Sequence, residues 1–187
     1  MAKGFTRAEL QAFRHQTVPD LLPEPLRLLF VGINPSLWSA GVGVHFAHPG
    51  NRFYPALAAA GITSHVIDAS HGYPPEGLSE LERGGVGISN LAREATTKAD
   101  ELDNQQFVDG LARIREMVRR YHPKATGDRH AKVGEQALRL DWGDGTGSSA
   151  HVFALPNPSG LNAHETVESL GRDYREAAEA AGVPLFH

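Results

Sequence analysis

From Leu26 to Val31 the chain is apolar at every position but Arg27, and it runs through Gly32-Ile33 into Asn34-Pro35-Ser36. A strand with this pattern is buried on both faces, which requires helices above and below its sheet. Open α/β sheets hold their ligands at the carboxyl ends of the strands. A second segment has the same form: Val152-Phe153-Ala154-Leu155-Pro156 leads into Asn157-Pro158-Ser159-Gly160-Leu161. Each presents an asparagine and a run of backbone amides where a strand ends. The two loops are expected to face one another across one cleft.

The rest of the chain alternates in a way that suits an α/β layer fold with a mainly parallel sheet. Thr6-Arg7-Ala8-Glu9 has capping-box spacing and predicts a short helix through Gln16. Pro19, Pro23 and Pro25 make an extended lead-in, so residues 1–25 read as a helix plus lead-in and 26–187 as a single domain. Residues 34–51 read as a long Gly-rich loop, a length that favours function over mere connection. A helix is expected over 51–60, stopped by Gly61, and a short strand over 86–89. Residues 61–84 carry no clear pattern. Phe107, Leu111, Ile114 and Val118 recur at helical spacing within 103–121. No strand is legible in the polar stretch 124–132, and 134–140 reads as a short helix. Residues 144–149 form a turn, with a hairpin as one option, and 165–181 a C-terminal helix that starts near Asn162 or His164.

With 187 residues and 41% hydrophobic content, the chain is long enough to bury a full core. It has no cysteine, which excludes disulfides, thiol nucleophiles and cysteine-ligated metals. No apolar run is long enough to span a bilayer, and the N-terminus lacks a secretory pattern. A cytoplasmic protein with no membrane contact is therefore expected. The net charge of −4 gives no global support for a nucleic-acid partner, so DNA binding must rest on a local face.

Several residues admit both a chemical and a plain reading. Asn34 is either a turn residue before Pro35 or a side chain whose amide oxygen holds a water. Asn157 to Leu161 is either a Pro-rich turn or a loop whose N–H groups meet an anion while Leu161 projects as an apolar wedge. Phe46 either folds onto the core or offers a stacking face. His45 and His48 form a pair too small for a metal site, which needs three or four ligands, and no metal or cofactor is expected. The segment 143–147 lacks the ending of a phosphate loop, and His164-Glu165 lacks the second histidine of a zinc protease. Arg113, Arg115, Arg119 and Arg120 read as a solvated helix face. No Gly-x-Ser-x-Gly elbow supports a serine triad.

Together these segments resemble the mismatch-specific uracil-DNA glycosylase / thymine-DNA glycosylase family, within the uracil-DNA glycosylase superfamily. The resemblance lies in Phe30-Val31-Gly32-Ile33-Asn34-Pro35-Ser36, in 39–43, in Phe46-Ala47-His48-Pro49-Gly50-Asn51-Arg52-Phe53, in Gly87-Ile88-Ser89-Asn90-Leu91 and 93–96, in 134–137, and in Leu155 to Asn162. It implies a three-layer α/β/α sandwich around a short, mainly parallel sheet. It also implies a monofunctional enzyme that hydrolyses the N-glycosidic bond of a flipped uracil or related base in DNA and so initiates base excision repair. Asn34 resembles the family's water-positioning residue, Ile33 a backbone contact to the base, Phe46 the stacking ring and Asn90 a base-selecting pocket residue. Ser159, Gly160, Leu161 and Asn162 resemble the loop that enters the duplex. Ser36 departs from the family's usual glycine.

The chemistry suits such residues. Extruding a base costs a few kcal/mol, least for a mismatched pair, and a wedge at Leu161 offsets part of that. As the bond breaks, the sugar turns cationic and the base leaves as an anion, so leaving-group stabilisation by amide donors, with Asn157 a candidate, becomes the larger task. The expected partner is double-stranded DNA carrying a mismatched or damaged base, bound by a monomer associated with the nucleoid. A catalytically weak module that binds damaged DNA or a nucleobase is the alternative. A small hydrolase of nucleosides is a third reading, one with no need for Leu161.

Overall fold

The computed structural model describes residues 4–128 and 132–187. Five strands form one sheet: β1 Leu28–Gly32, β2 Val86–Asn90, β3 Ala125–Asp128, β4 Gly134–Asp141 and β5 Ser149–Ala154. Their order is β2-β1-β3-β5-β4. The first four run parallel, and β4 returns antiparallel on β5 at the edge. Six helices surround the sheet: α1 Arg7–Ala12, α2 Leu37–Val42, α3 Phe53–Ala59, α4 Pro75–Gly84, α5 Asn104–Tyr121 and α6 Val167–Ala181. A 3-10 turn spans Ala99–Glu101.

The double-sided burial expected of β1 explains the layering. Leu28 and Phe30 point into a core shared with Phe53 and Leu57 of α3 and Leu170 and Tyr174 of α6. Leu29 and Val31 point the other way, onto Ile114 of α5 with Phe107 and Met117 beside it. Alternate residues of one strand therefore feed two cores, giving the three-layer α/β/α arrangement. The lead-in is stitched to β2, where Leu21 and Ile88 exchange both backbone hydrogen bonds at 3.0 and 2.9 Å.

The helix caps follow the residues. Thr6 and Glu9 form the expected capping box, although α1 ends at Ala12 and not at Gln16. Asp103 caps α5 reciprocally with Gln106. Thr166, and neither Asn162 nor His164, caps α6. Within α5, Ile114 and Val118 are buried while Leu111 lies outward, 40% exposed.

Four expectations fail, each for a physical reason. First, a strand does lie in 124–132: β3 holds the centre of the sheet, between β1 and β5. It carries no apolar signature because its space is small. A Cβ on Gly127 would come within 2.3 Å of Leu155 Cδ1. Residues 129–131 of that stretch lie outside the described residues. Second, 134–140 is β4 and not a helix. Its Glu, Gln, Ala, Leu and Arg favour a helix locally, but pairing with β5 through the 142–148 turn overrides propensity. Third, the loop after Asn34 contains α2, capped by Ser36, whose hydroxyl accepts from Ser39 N–H at 3.1 Å. Fourth, the featureless 61–84 contains α4, which begins on Pro75 at its first turn.

Candidate active site

A cleft of about 250 Å3 opens at the carboxyl ends of β1, β2 and β5. Asn34, Phe46, Asn90, Thr96, Asn157 and Ser159 all line it, as do Ile33, Phe53 and Tyr174. The two strand-end loops therefore meet in one cavity, as an open α/β sheet dictates.

Asn34 is half-buried, and its amide is oriented by its neighbours. Its Nδ2 donates to Thr96 Oγ1 at 2.7 Å and to the Pro35 carbonyl at 3.1 Å. The Thr96 hydroxyl spends its own proton on the Lys98 carbonyl, 2.7 Å away, so it can only accept from Asn34. Among the described residues no donor reaches Asn34 Oδ1. The side chain thus presents an acceptor to the cleft.

Gly32 ends β1 where any side chain would clash. A Cβ there would fall 2.1 Å from Asn90 Oδ1 and 2.9 Å from Phe46 Cζ. Its absence lets the carboxamide and the ring close on the strand end. Phe46 sits at φ 56°, in the left-handed region, with its ring stacked on Phe53 at 4.2 Å and 19°. A non-glycine residue there carries strain of order 1–3 kcal/mol, offset here by the stack and by cleft packing. Ile33 is buried, and its carbonyl accepts from Ala92 N–H at 2.7 Å.

Asn90 is 3% exposed. Its Nδ2 lies 2.6 Å from His45 Nδ1. Its carbonyl accepts from Arg113 Nη2, while Arg113 Nη1 donates to Asp20 at 2.8 Å. Arg113 therefore turns inward, a correction to the solvated face read from sequence. Burial pushes the His45 imidazole down to about 4, partly opposed by the Asp20 carboxylate, so the ring is neutral near pH 7. His48 faces elsewhere and accepts from Gly50 N–H through Nδ1 at 3.0 Å.

On the far wall, Asn157 Oδ1 accepts from Ser159 N–H at 3.1 Å, which leaves the amide NH2 as the side chain's donor. Asn162 staples the same loop, donating to the Asn157 carbonyl at 3.0 Å. Gly160 packs on the 50 loop, where a Cβ would meet the Gly50 carbonyl at 2.3 Å. Leu161 is 95% exposed at the tip. Arg52 anchors the whole turn. Its N–H donates to the Pro158 carbonyl at 2.9 Å, and its guanidinium to the carbonyls of Ser159 (2.7 Å), Asn162 (2.6 Å) and Glu165.

Lys98, at the rim, is the one charged residue lining the cleft among those described. No carboxylate lines it, and burial pushes the Tyr174 phenol far up, so it stays neutral. The site can hold water, stack a ring and donate hydrogen bonds to an anion, but it offers no strong general base. Sequence reasoning assigned no role to Thr96, Arg52, Asp20 or Arg113. Only Arg52 and Thr96 fell inside the segments carrying the resemblance, and their contacts span 62 and more than 100 positions.

Among the described residues no helix is long and apolar enough to cross a membrane. Residues 19–180 match the family model of the uracil DNA glycosylase superfamily. With that match spanning most of the chain, over a mainly parallel α/β sheet, the protein belongs to the uracil DNA glycosylase superfamily, a membership that supports a glycosylase hydrolase acting on DNA.

Proposed function

We propose that this protein is a monofunctional, mismatch-specific uracil-DNA glycosylase that starts base excision repair, working as a monomer on DNA in the cytoplasm. The observation that carries the reading is the Asn34 amide. Its NH2 is tied to Thr96 and its oxygen has no donor among the described residues, in a cleft that Asn157 and Ser159 of the Leu161 loop also line.

In this reading a mismatched uracil swings out of the duplex and stacks on Phe46, with Ile33 and Asn90 against its polar edge. Leu161, flanked by Ser159, Gly160 and Asn162, fills the space left in the helix and offsets part of the flipping cost. The C1′–N1 bond breaks first and its electron pair leaves with the base. The Asn157 NH2 and neighbouring backbone N–H groups stabilise the resulting anion. A water accepted by Asn34 Oδ1 adds to the cationic C1′ and then loses its proton to solvent. A neutral amide cannot remove that proton beforehand, so the rate depends on how well the base leaves. Slow turnover follows, with a strong preference for bases that flip and leave easily.

The test is excision from a duplex with uracil opposite guanine, beside the matched single strand. The reading expects free uracil and an abasic site in an unbroken strand. A strand nick at the abasic site would reject the monofunctional assignment. Tight binding without release of the base would favour the damaged-DNA-binding alternative.

A further inference from the structure

The amide of Asn90 is held by a buried chain of groups that the mechanism above does not use. Asn90 Nδ2 sits 2.6 Å from His45 Nδ1. An NH2 group only donates, so Nδ1 must accept and carries no proton. The single proton of the neutral ring then resides on Nε2. That atom is buried and faces Asp20 Oδ1 at 3.7 Å, with the Pro19 backbone also beside the ring. Asp20 is itself fixed by Ser89 Oγ at 2.6 Å and Arg113 Nη1 at 2.8 Å.

Flipping the amide would set Asn90 Oδ1 against the Nδ1 lone pair. Moving the ring proton to Nδ1 to relieve this would set a bare Nε2 against the Asp20 carboxylate. Each alternative places acceptor against acceptor around a ring only 2% exposed, where unpaired polar groups are costly. The oxygen of Asn90 is therefore kept on the opposite side, against Gly32 and the cleft.

Resting on the glycosylase reading, we infer that Asp20 and His45 are positioning residues that hold the Asn90 carboxamide oxygen toward the cleft, so that the pocket selects bases presenting a ring N–H over bases presenting a bare ring nitrogen. Uracil and related imides offer that N–H, and cytosine offers a lone pair at the same position. Asn90 alone can donate or accept, so the discrimination arises in the residues behind it. Asp20 lies in the Pro-rich lead-in, which thereby reaches the base pocket.

Two measurements test this. The first is long-range 15N–1H correlation of the His45 ring in the free protein. The Nε2–H tautomer is expected at pH 7, shifting toward a mixture in Asp20→Asn; an Nδ1–H ring in the wild type overturns the inference. The second compares single-turnover excision of 5-fluorouracil and 5-fluorocytosine, two bases sharing one ring substituent, each opposite guanine. His45→Phe removes the acceptor, and the preference for 5-fluorouracil should fall about tenfold or more. His45→Asn places a carboxamide oxygen near the position of Nδ1 and should retain most of it. An unchanged ratio in a folded His45→Phe protein overturns the inference. A wild type that releases neither base rejects the glycosylase reading instead, and the ring tautomer then decides the Asp20–His45 assignment alone.

Discussion

The two walls of the cleft are built differently. The Asn34 wall is wired by side chains: Thr96 orients Asn34, His45 faces Asn90, and Phe53 backs Phe46. The Asn157 wall is a loop held by backbone carbonyls, most of them gathered on one arginine, with Leu161 left bare. Side-chain wiring fixes the direction of individual donors and acceptors, which is what bond cleavage requires. A carbonyl-anchored loop fixes only its overall position, which suffices for an apolar wedge. In the proposed reading the first wall holds the water and the base, while the second supplies both the Asn157 donor to the leaving base and the wedge that enters the duplex.

Substitutions can break that division. Asn34→Ala should reduce single-turnover excision roughly a thousandfold while DNA binding, read by anisotropy, changes little. Thr96→Val keeps shape but frees the Asn34 amide to rotate. It should cost about a hundredfold in rate, again with binding preserved. On the second wall, Leu161→Ala should slow excision from duplex by about thirtyfold and leave the single strand nearly unaffected. Equal losses on both substrates would remove the wedge from the account. Arg52→Met should act in the same direction as Leu161→Ala and less strongly, about tenfold on duplex, because it loosens the turn without removing its tip.

The smallest effect is on stability. His45 faces Asp20 and Arg113, and its folded value of about 4 lies below the ordinary 6.5. Below pH 6.5 the unfolded chain takes up the proton first, so stability falls as pH drops from about 6.5 to about 4, by on the order of 3 kcal/mol. Urea unfolding across that range should show a steeper slope in the wild type than in His45→Phe.

What the sequence made legible follows the same contrast. Strands β1 and β5 announce themselves as apolar runs, and α5 by its helical period. Strand β3 hides because a central strand squeezed against Leu155 and Phe30 must be built from Ala125, Thr126 and Gly127. Strand β4 hides because an exposed edge strand can carry helix-forming residues when its partner dictates the pairing. In the cleft, Asn34, Phe46, Asn90 and Asn157 stand in contiguous motifs, and the fold brings all four together. Their supports do not. Thr96, Asp20, Arg113 and Arg52 act across long stretches of chain, and no local spacing encodes a long-range hydrogen bond.

The most direct test of the account is a high-resolution structure of the protein on duplex DNA carrying a non-cleavable 2′-fluoro analogue of deoxyuridine. The account predicts an ordered water roughly 3 Å from Asn34 Oδ1, facing C1′ of the flipped nucleotide, with Nδ2 still on Thr96. A carboxamide turned so that Nδ2 points into the cleft, or a water held against C1′ by some other group, would contradict it.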